Sequence, residues 1–228
     1  MDATGPSLET ELNAQGCAVL PELLSREACA EARKWWTEES LFRSRVDMAR
    51  HGFGQGEYRY FAYPLPDRVA KLREQLYPSL AAIANRWAER LGQDRRFPES
   101  HAAFLTECHA AGQGRPTPLI LRYQAGDWNA LHQDVYGDHV FPLQVAVLLS
   151  APGRDFEGGE FVLTEQRPRM QSRAEVVPLA HGDAVVFPVR ERPVRGSRGD
   201  YRVQMRHGVS RVRSGLRFTL GIIFHDAT

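Results

Sequence analysis

Arg122-Tyr123-Gln124-Ala125-Gly126-Asp127-Trp128-Asn129-Ala130-Leu131-His132-Gln133-Asp134 closes on an imidazole and a carboxylate two positions apart. In an extended segment residues i and i+2 project to the same side. His132 and Asp134 can therefore reach one cation from a single strand end. A third ligand has to come from elsewhere, and His207, in Arg206-His207-Gly208-Val209, is the candidate. Beyond it, a strand over Leu216–Phe224 turns Arg217 and Thr219 to one side.

His-x-Asp occurs twice in the chain, the second time as His181-Gly182-Asp183. Gly182-Asp183 reads as the turn before an apolar strand, Ala184-Val185-Val186-Phe187, which would aim those side chains at solvent. It also lies close to His207 in sequence, leaving room for little more than a hairpin to close a site. The 132/134 pair leaves enough chain for several strands to wrap around and return His207 to it. Two histidines and one carboxylate leave three open positions on a metal, the arrangement of non-haem Fe(II) oxygenases. A guanidinium and a hydroxyl pointing into such a barrel are costly unless an anion meets them. The distal carboxylate of a dicarboxylate is such an anion.

The rest of the chain fits one compact domain. Its 228 residues are 43% hydrophobic and 25% charged, which excludes a disordered chain. No stretch of about 18 apolar residues suits a membrane span. The N-terminus lacks a basic start followed by an apolar run, so no secretory leader is expected. Cys17, Cys29 and Cys108 are unlike any zinc spacing and read as buried free thiols of a cytoplasmic protein. Nine arginines fall between Arg190 and Arg217, forming either a solvated basic surface or a surface for an anionic substrate.

Before residue 116 the pattern is mainly helical. Residues 7–15 read as a short helix and Cys17–Leu20 as a brief strand. Ser25 caps a helix reaching Thr37. Residues 51–56 read as a glycine-rich loop, and Tyr58–Tyr63 as an aromatic strand, either core or substrate wall. Val69, Leu72, Leu76, Leu80, Ile83, Trp87 and Leu91 mark a long amphipathic helix. Residues 99–111 form another, whose His101 and His109 stand too far apart for one metal. Beyond Pro116, apolar runs at 118–124, 140–149, 159–164, 174–179, 183–188, 201–212 and 216–225 alternate with turn clusters. Short strands at this spacing predict a sandwich or jelly roll. The expected fold is α+β: residues 1–115 a helical N-terminal extension and support, 116–228 a double-stranded β-helix, the helices packed on one sheet.

Arg122-Tyr123 through Gly126 to His132-Gln133-Asp134, Gly158-Gly159-Glu160-Phe161, Gly182–Phe187, His207-Gly208-Val209 and Arg217 together resemble the Fe(II)/2-oxoglutarate-dependent dioxygenases, in particular their prolyl-4-hydroxylase-like branch. The resemblance implies Fe(II) held by His132, Asp134 and His207. It implies 2-oxoglutarate anchored by Arg217 with Thr219 and a bond from Tyr123, O2 as oxidant, and ascorbate as an accessory reductant. The reaction it implies is hydroxylation of a C–H bond in an amino-acid or peptide side chain, with release of succinate and CO2. Arg217 stands where many prolyl hydroxylases carry lysine, and the run Thr164–Arg173 is unlike their short linker. Both features speak against a prolyl substrate. Oxidative demethylation of an alkylated nucleobase is the alternative, and a non-catalytic jelly-roll or cupin-like binding protein the alternative of another class. Trp128, Tyr136, Arg167 and Arg169 are the candidate substrate contacts.

Overall fold

The computed structural model describes residues 7–228. Along the chain run α1 (Leu8–Gln15), β1 (Ala18–Leu20), α2 (Arg26–Lys34), β2 (Phe42–Asp47), β3 (Gly54–Gln55), β4 (Glu57–Phe61), α3 (Asp67–Arg90) and α4 (His101–Ala110). Strands follow: β5 (Leu119–Gln124), β6 (Trp128–His132), β7 (Leu143–Leu148), β8 (Phe156–Gly158), β9 (Phe161–Gln166) and β10 (Arg173–Val177). The last four are β11 (Ala184–Pro188), β12 (Glu191–Gly196), β13 (Gly199–Val209) and β14 (Val212–Ile222).

Two antiparallel sheets face each other. One has the order β1-β11-β7-β14-β5-β4-β2 with β8 added at β14; the other runs β10-β9-β13-β6-β3 with β12 added at β13. Period-two alternation in the central strands builds two cores at once. On β14, Phe218, Leu220 and Ile222 pack under the helices, while Arg217 and Thr219 turn into the space between the sheets. On β7, Leu143, Val145 and Val147 face the helices, and Gln144 and Ala146 face the interior.

The helices cover the first sheet, as the apolar spacing predicts. α3 begins after Pro66 with Asp67 in its first turn and runs through Pro78 to Arg90. It buries Val69, Leu72, Leu80, Ile83 and Trp87, each burial contributing about 1.5–3 kcal/mol. Ser7, Ser25 and Ser100 cap α1, α2 and α4 by accepting a backbone N–H three residues on. No described helix is long and apolar enough to cross a membrane.

Residues before 116 do more than brace the sheet. β1 pairs with β11, β4 with β5, and β3 with β6, so strands from this part enter both sheets. Gly54 and Gln55, read as loop, pair with Asn129 and Trp128 at the sheet edge. His101 and His109 bind the C-terminal segment, through the Phe224 carbonyl at 2.8 Å and Asp226 at 2.9 Å. Of the nine arginines between Arg190 and Arg217, seven stand exposed as a solvated basic surface, while Arg192 and Arg217 are buried. β12 and β13 form a hairpin closed by Gly196 and Gly199. Buried Arg192 donates to Glu165 and to the Asn13 carbonyl, tying α1 to the second sheet.

Candidate metal and cosubstrate site

β6 and β13 bring the predicted ligands together. His132 ends β6 directly opposite His207 on β13, and Asp134 sits two residues past the strand end. Asp134 Oδ2 lies 3.3 Å from His207 Nε2, and Oδ1 lies 3.5 Å from His132 Nε2. Cis ligands at about 2.1 Å from an octahedral ion stand about 3 Å apart. The cluster therefore closes around a cation with small adjustments, and it is the one metal-sized grouping of such side chains among the described residues. His132 Nδ1 faces the Ala130 carbonyl at 2.7 Å, so that nitrogen carries the proton and the Nε2 lone pair is left for a metal.

A local irregularity aims these groups. His207 pairs with His132, but Val209 pairs with Asn129, so β6 holds one residue more than β13 over this span. The bulge turns both Asn129 and His132 into the interior. Gly208 accommodates it: a Cβ there would lie 2.7 Å from the Asn129 carbonyl oxygen.

Burial pushes the Asp134 carboxyl up, but its contacts with His132 and His207 outweigh this and hold it well below the usual carboxylate range. Burial also draws His132 down, and the bond to Asp134 more than restores it. His207, more deeply enclosed and beside His132, is shifted down. The Asp134 carboxylate is thus ionised and flanked by two imidazoles, a donor set suited to a divalent cation such as Fe(II).

Arg217 is 1% exposed, and burial pushes its guanidinium down to about 10. Nη1 donates to Thr219 Oγ1 at 2.5 Å, Nε is buried without a partner, and no carboxylate pairs with it among the described residues. The Tyr123 ring lies 5.5 Å away, and the Tyr123 hydroxyl accepts from Asn129 Nδ2 at 3.3 Å. An enclosed cation beside two hydroxyls fits the far carboxylate of a dicarboxylate such as 2-oxoglutarate.

Between these groups lies a cavity of about 220 Å³. Phe53, Tyr58, Tyr60 and Tyr136 wall it, so alternate residues of the aromatic strand face the site. Of the candidate substrate contacts, Tyr136 lines the cavity, and its hydroxyl donates to Asp134 Oδ1 at 2.7 Å. Trp128, Arg167 and Arg169 do not line it. Trp128 is 38% exposed on β6, and Arg167 is bound to Glu165 at 2.7 Å. Arg169 occupies an exposed turn with φ 62°. The second His-x-Asp pair is the turn before β11, as expected, but its side chains are not turned to solvent. Asp183 accepts the Glu22 and Ala180 amides at 2.9 and 2.8 Å, and the His181 ring nitrogens are enclosed. Asn129 and Gln144, whose amide lies 3.4 Å from His207 Nε2, are site residues that the sequence reading missed. A buried polar side chain in the apolar run of β7 was the available signal for Gln144.

A family model named Oxygenase-NA, described as an oxygenase catalysing oxidative methylation of damaged DNA, matches residues 56–227. Uncharacterized protein Rv2227 of Mycobacterium tuberculosis is 52% identical over 167 residues, covering 73% of this chain and 72% of that protein. A Pseudomonas putida prolyl-4-hydroxylase superposes with a TM-score of 0.54 at 16% identity, covering 94% of each chain. An oxidoreductase of the 2OG-Fe(II) oxygenase family from Burkholderia pseudomallei does so with a TM-score of 0.54 at 18% identity, covering 97% of this chain and 91% of that one. At such identities the two structures speak for the fold. The chain belongs to the Oxygenase-NA family, and it is an oxygenase whose double-stranded β-helix carries a two-histidine, one-carboxylate cluster that fits Fe(II), beside an enclosed arginine that fits 2-oxoglutarate.

Proposed function

We propose that this oxygenase removes an alkyl group from a nucleobase of damaged DNA by hydroxylating the carbon attached to nitrogen. The observation that carries this is the aromatic cavity opening on the metal cluster. Phe53, Tyr58, Tyr60 and Tyr136 offer ring faces on which a planar guest can stack beside the cluster. The damaged-DNA description of the family supports the same substrate.

In this reading His132, Asp134 and His207 would hold Fe(II), and the bound metal would supply the oxidation of 2-oxoglutarate and of the C–H bond. Arg217 and Thr219 bind the distal carboxylate, and the Tyr123 hydroxyl donates a further bond to it. The burial of Arg217 and Tyr123 excludes water from that end and orients the keto acid toward the cluster. Together, 2-oxoglutarate, O2 and the substrate would give succinate, CO2 and a hydroxyl on the substrate carbon. A hydroxyl on a carbon attached to nitrogen collapses to the free amine and an aldehyde. The competing substrate is the peptide or amino-acid side chain suggested by the prolyl-hydroxylase resemblance, supported by the fold likeness alone.

Incubation of the protein with Fe(II), 2-oxoglutarate and either an N-methylated single-stranded oligonucleotide or a proline-containing peptide separates the two. The methylated DNA is expected to yield formaldehyde in step with succinate, and His132→Ala to yield neither. Succinate release stimulated by the peptide and indifferent to alkylated DNA would overturn the proposal.

A further inference from the structure

We infer that Tyr136 is a positioning residue that, braced by Tyr60, reserves one oxygen of Asp134 and keeps the metal carboxylate a one-oxygen ligand. The inference rests on the reading of His132, Asp134 and His207 as the metal site. An ionised carboxylate only accepts, so the Tyr136 hydroxyl donates to Asp134 Oδ1 across 2.7 Å. Its proton being committed there, the Tyr60 hydroxyl, 3.0 Å away, has to donate to the Tyr136 oxygen. The chain therefore has one direction, from Tyr60 through Tyr136 to Asp134.

Both ends of this brace are fixed. Tyr60 is 8% exposed on β4, and the Arg43 guanidinium lies 4.5 Å over its ring while its Nε donates to the Pro116 carbonyl at 2.9 Å. The Tyr136 carbonyl accepts from Gln113 Nε2 at 3.1 Å, and the buried Gln113 also receives the His139 amide at 2.7 Å. The loop that carries the carboxylate thus carries its own restraint two residues later.

The consequence is one of coordination number. A carboxylate can meet a cation with one oxygen or two. With one lone pair of Oδ1 already engaged by a phenol, Oδ2, beside His207 Nε2, is the freer oxygen for the metal. Two histidines and one oxygen leave three positions, two for a chelating keto acid and one for O2. A two-oxygen carboxylate would take one of them. Such hydrogen-bonding support of a ligand is worth about 10–100-fold in metal affinity.

The test uses the full-length apoprotein and Co(II). Tyr136→Phe is expected to raise the Co(II) dissociation constant about 10–100-fold and to alter the Co(II) visible spectrum. Its metal-free melting temperature should stay at the wild-type value. Tyr60→Phe, which breaks the chain one link earlier and outside the ligand loop, should weaken Co(II) binding in the same direction by a smaller factor. It carries the test if Tyr136→Phe fails to fold. His132→Ala should lose Co(II) binding altogether. Wild-type affinity and spectrum in both tyrosine variants, with binding lost in His132→Ala, would overturn the positioning role alone. Wild-type binding in His132→Ala would overturn the metal site beneath it.

Discussion

Replacing Arg217 by methionine separates the cost of a buried charge from the benefit of its ligand. Burial lowers the guanidinium from 12.5 to about 10, and each unit is worth about 1.4 kcal/mol, so enclosing the charged form costs about 3 kcal/mol. Methionine preserves much of the aliphatic stem and removes the charge. Set against the gain are the hydrogen bond to Thr219, about 1 kcal/mol, and the ring contacts with Tyr123 and Phe156, about 1 kcal/mol together. The ligand-free variant should be more stable by about 1 kcal/mol, a rise of about 2–4 °C in melting temperature for a domain of this size. The same substitution should weaken 2-oxoglutarate about a hundredfold, the factor corresponding to about 3 kcal/mol. The assay is thermal unfolding with Mn(II) in place of iron, with and without 2-oxoglutarate at 100 times the wild-type dissociation constant. Wild type should gain about 2.7 kcal/mol from the ligand, and the variant about 0.4 kcal/mol. An Arg217→Met protein that keeps the full ligand-induced shift, or melts several degrees below wild type when ligand-free, would refute the reasoning.

Three further outcomes are expected. Asp134→Ala removes the charged ligand, so Fe(II)-dependent succinate formation should fall to background, and retained turnover would speak against the cluster. Gly208→Val puts side-chain atoms where even a Cβ meets the Asn129 carbonyl at 2.7 Å; it should cost about 1–3 kcal/mol in urea unfolding and weaken Co(II) binding, and an unchanged midpoint would count against the bulge. His101 donates to the Phe224 carbonyl, and burial pushes its pKa down to about 4 from 6.5. The unfolded chain therefore binds a proton there first. Stability from neutral His101 is complete above pH 6.5 and lost as pH falls toward 4, by up to about 3 kcal/mol. His101→Gln, which keeps a donor, should flatten that limb of the stability–pH curve, and an unaltered limb would exclude His101 as its source.

The grouping of His132, Asp134 and His207 was legible because its signals are local or chemically rare. His132 and Asp134 lie within one strand end, and Arg217 and Thr219 share a strand face by period two. β11, β13 and β14 announce themselves as apolar runs, and α3 by its three- and four-residue steps. The hairpin of β12 and β13 was less readable, since Arg192 looks like any exposed arginine until Glu165 and Asn13 enclose it. Trp128 likewise seems a stacking residue on spacing alone, yet it stands outside the cavity.

By itself the sequence determined the residue types of the site, the alternation that aims them inward and the helical layer that covers one sheet, because each depends on neighbours a few positions away. Tertiary structure alone decided the extra residue in β6 that admits Asn129, the entry of β1, β3 and β4 into the two sheets, and the Tyr60–Tyr136–Asp134 chain. These depend on which strands become neighbours and in what register. That choice is made by burying side chains from distant parts of the chain against one another.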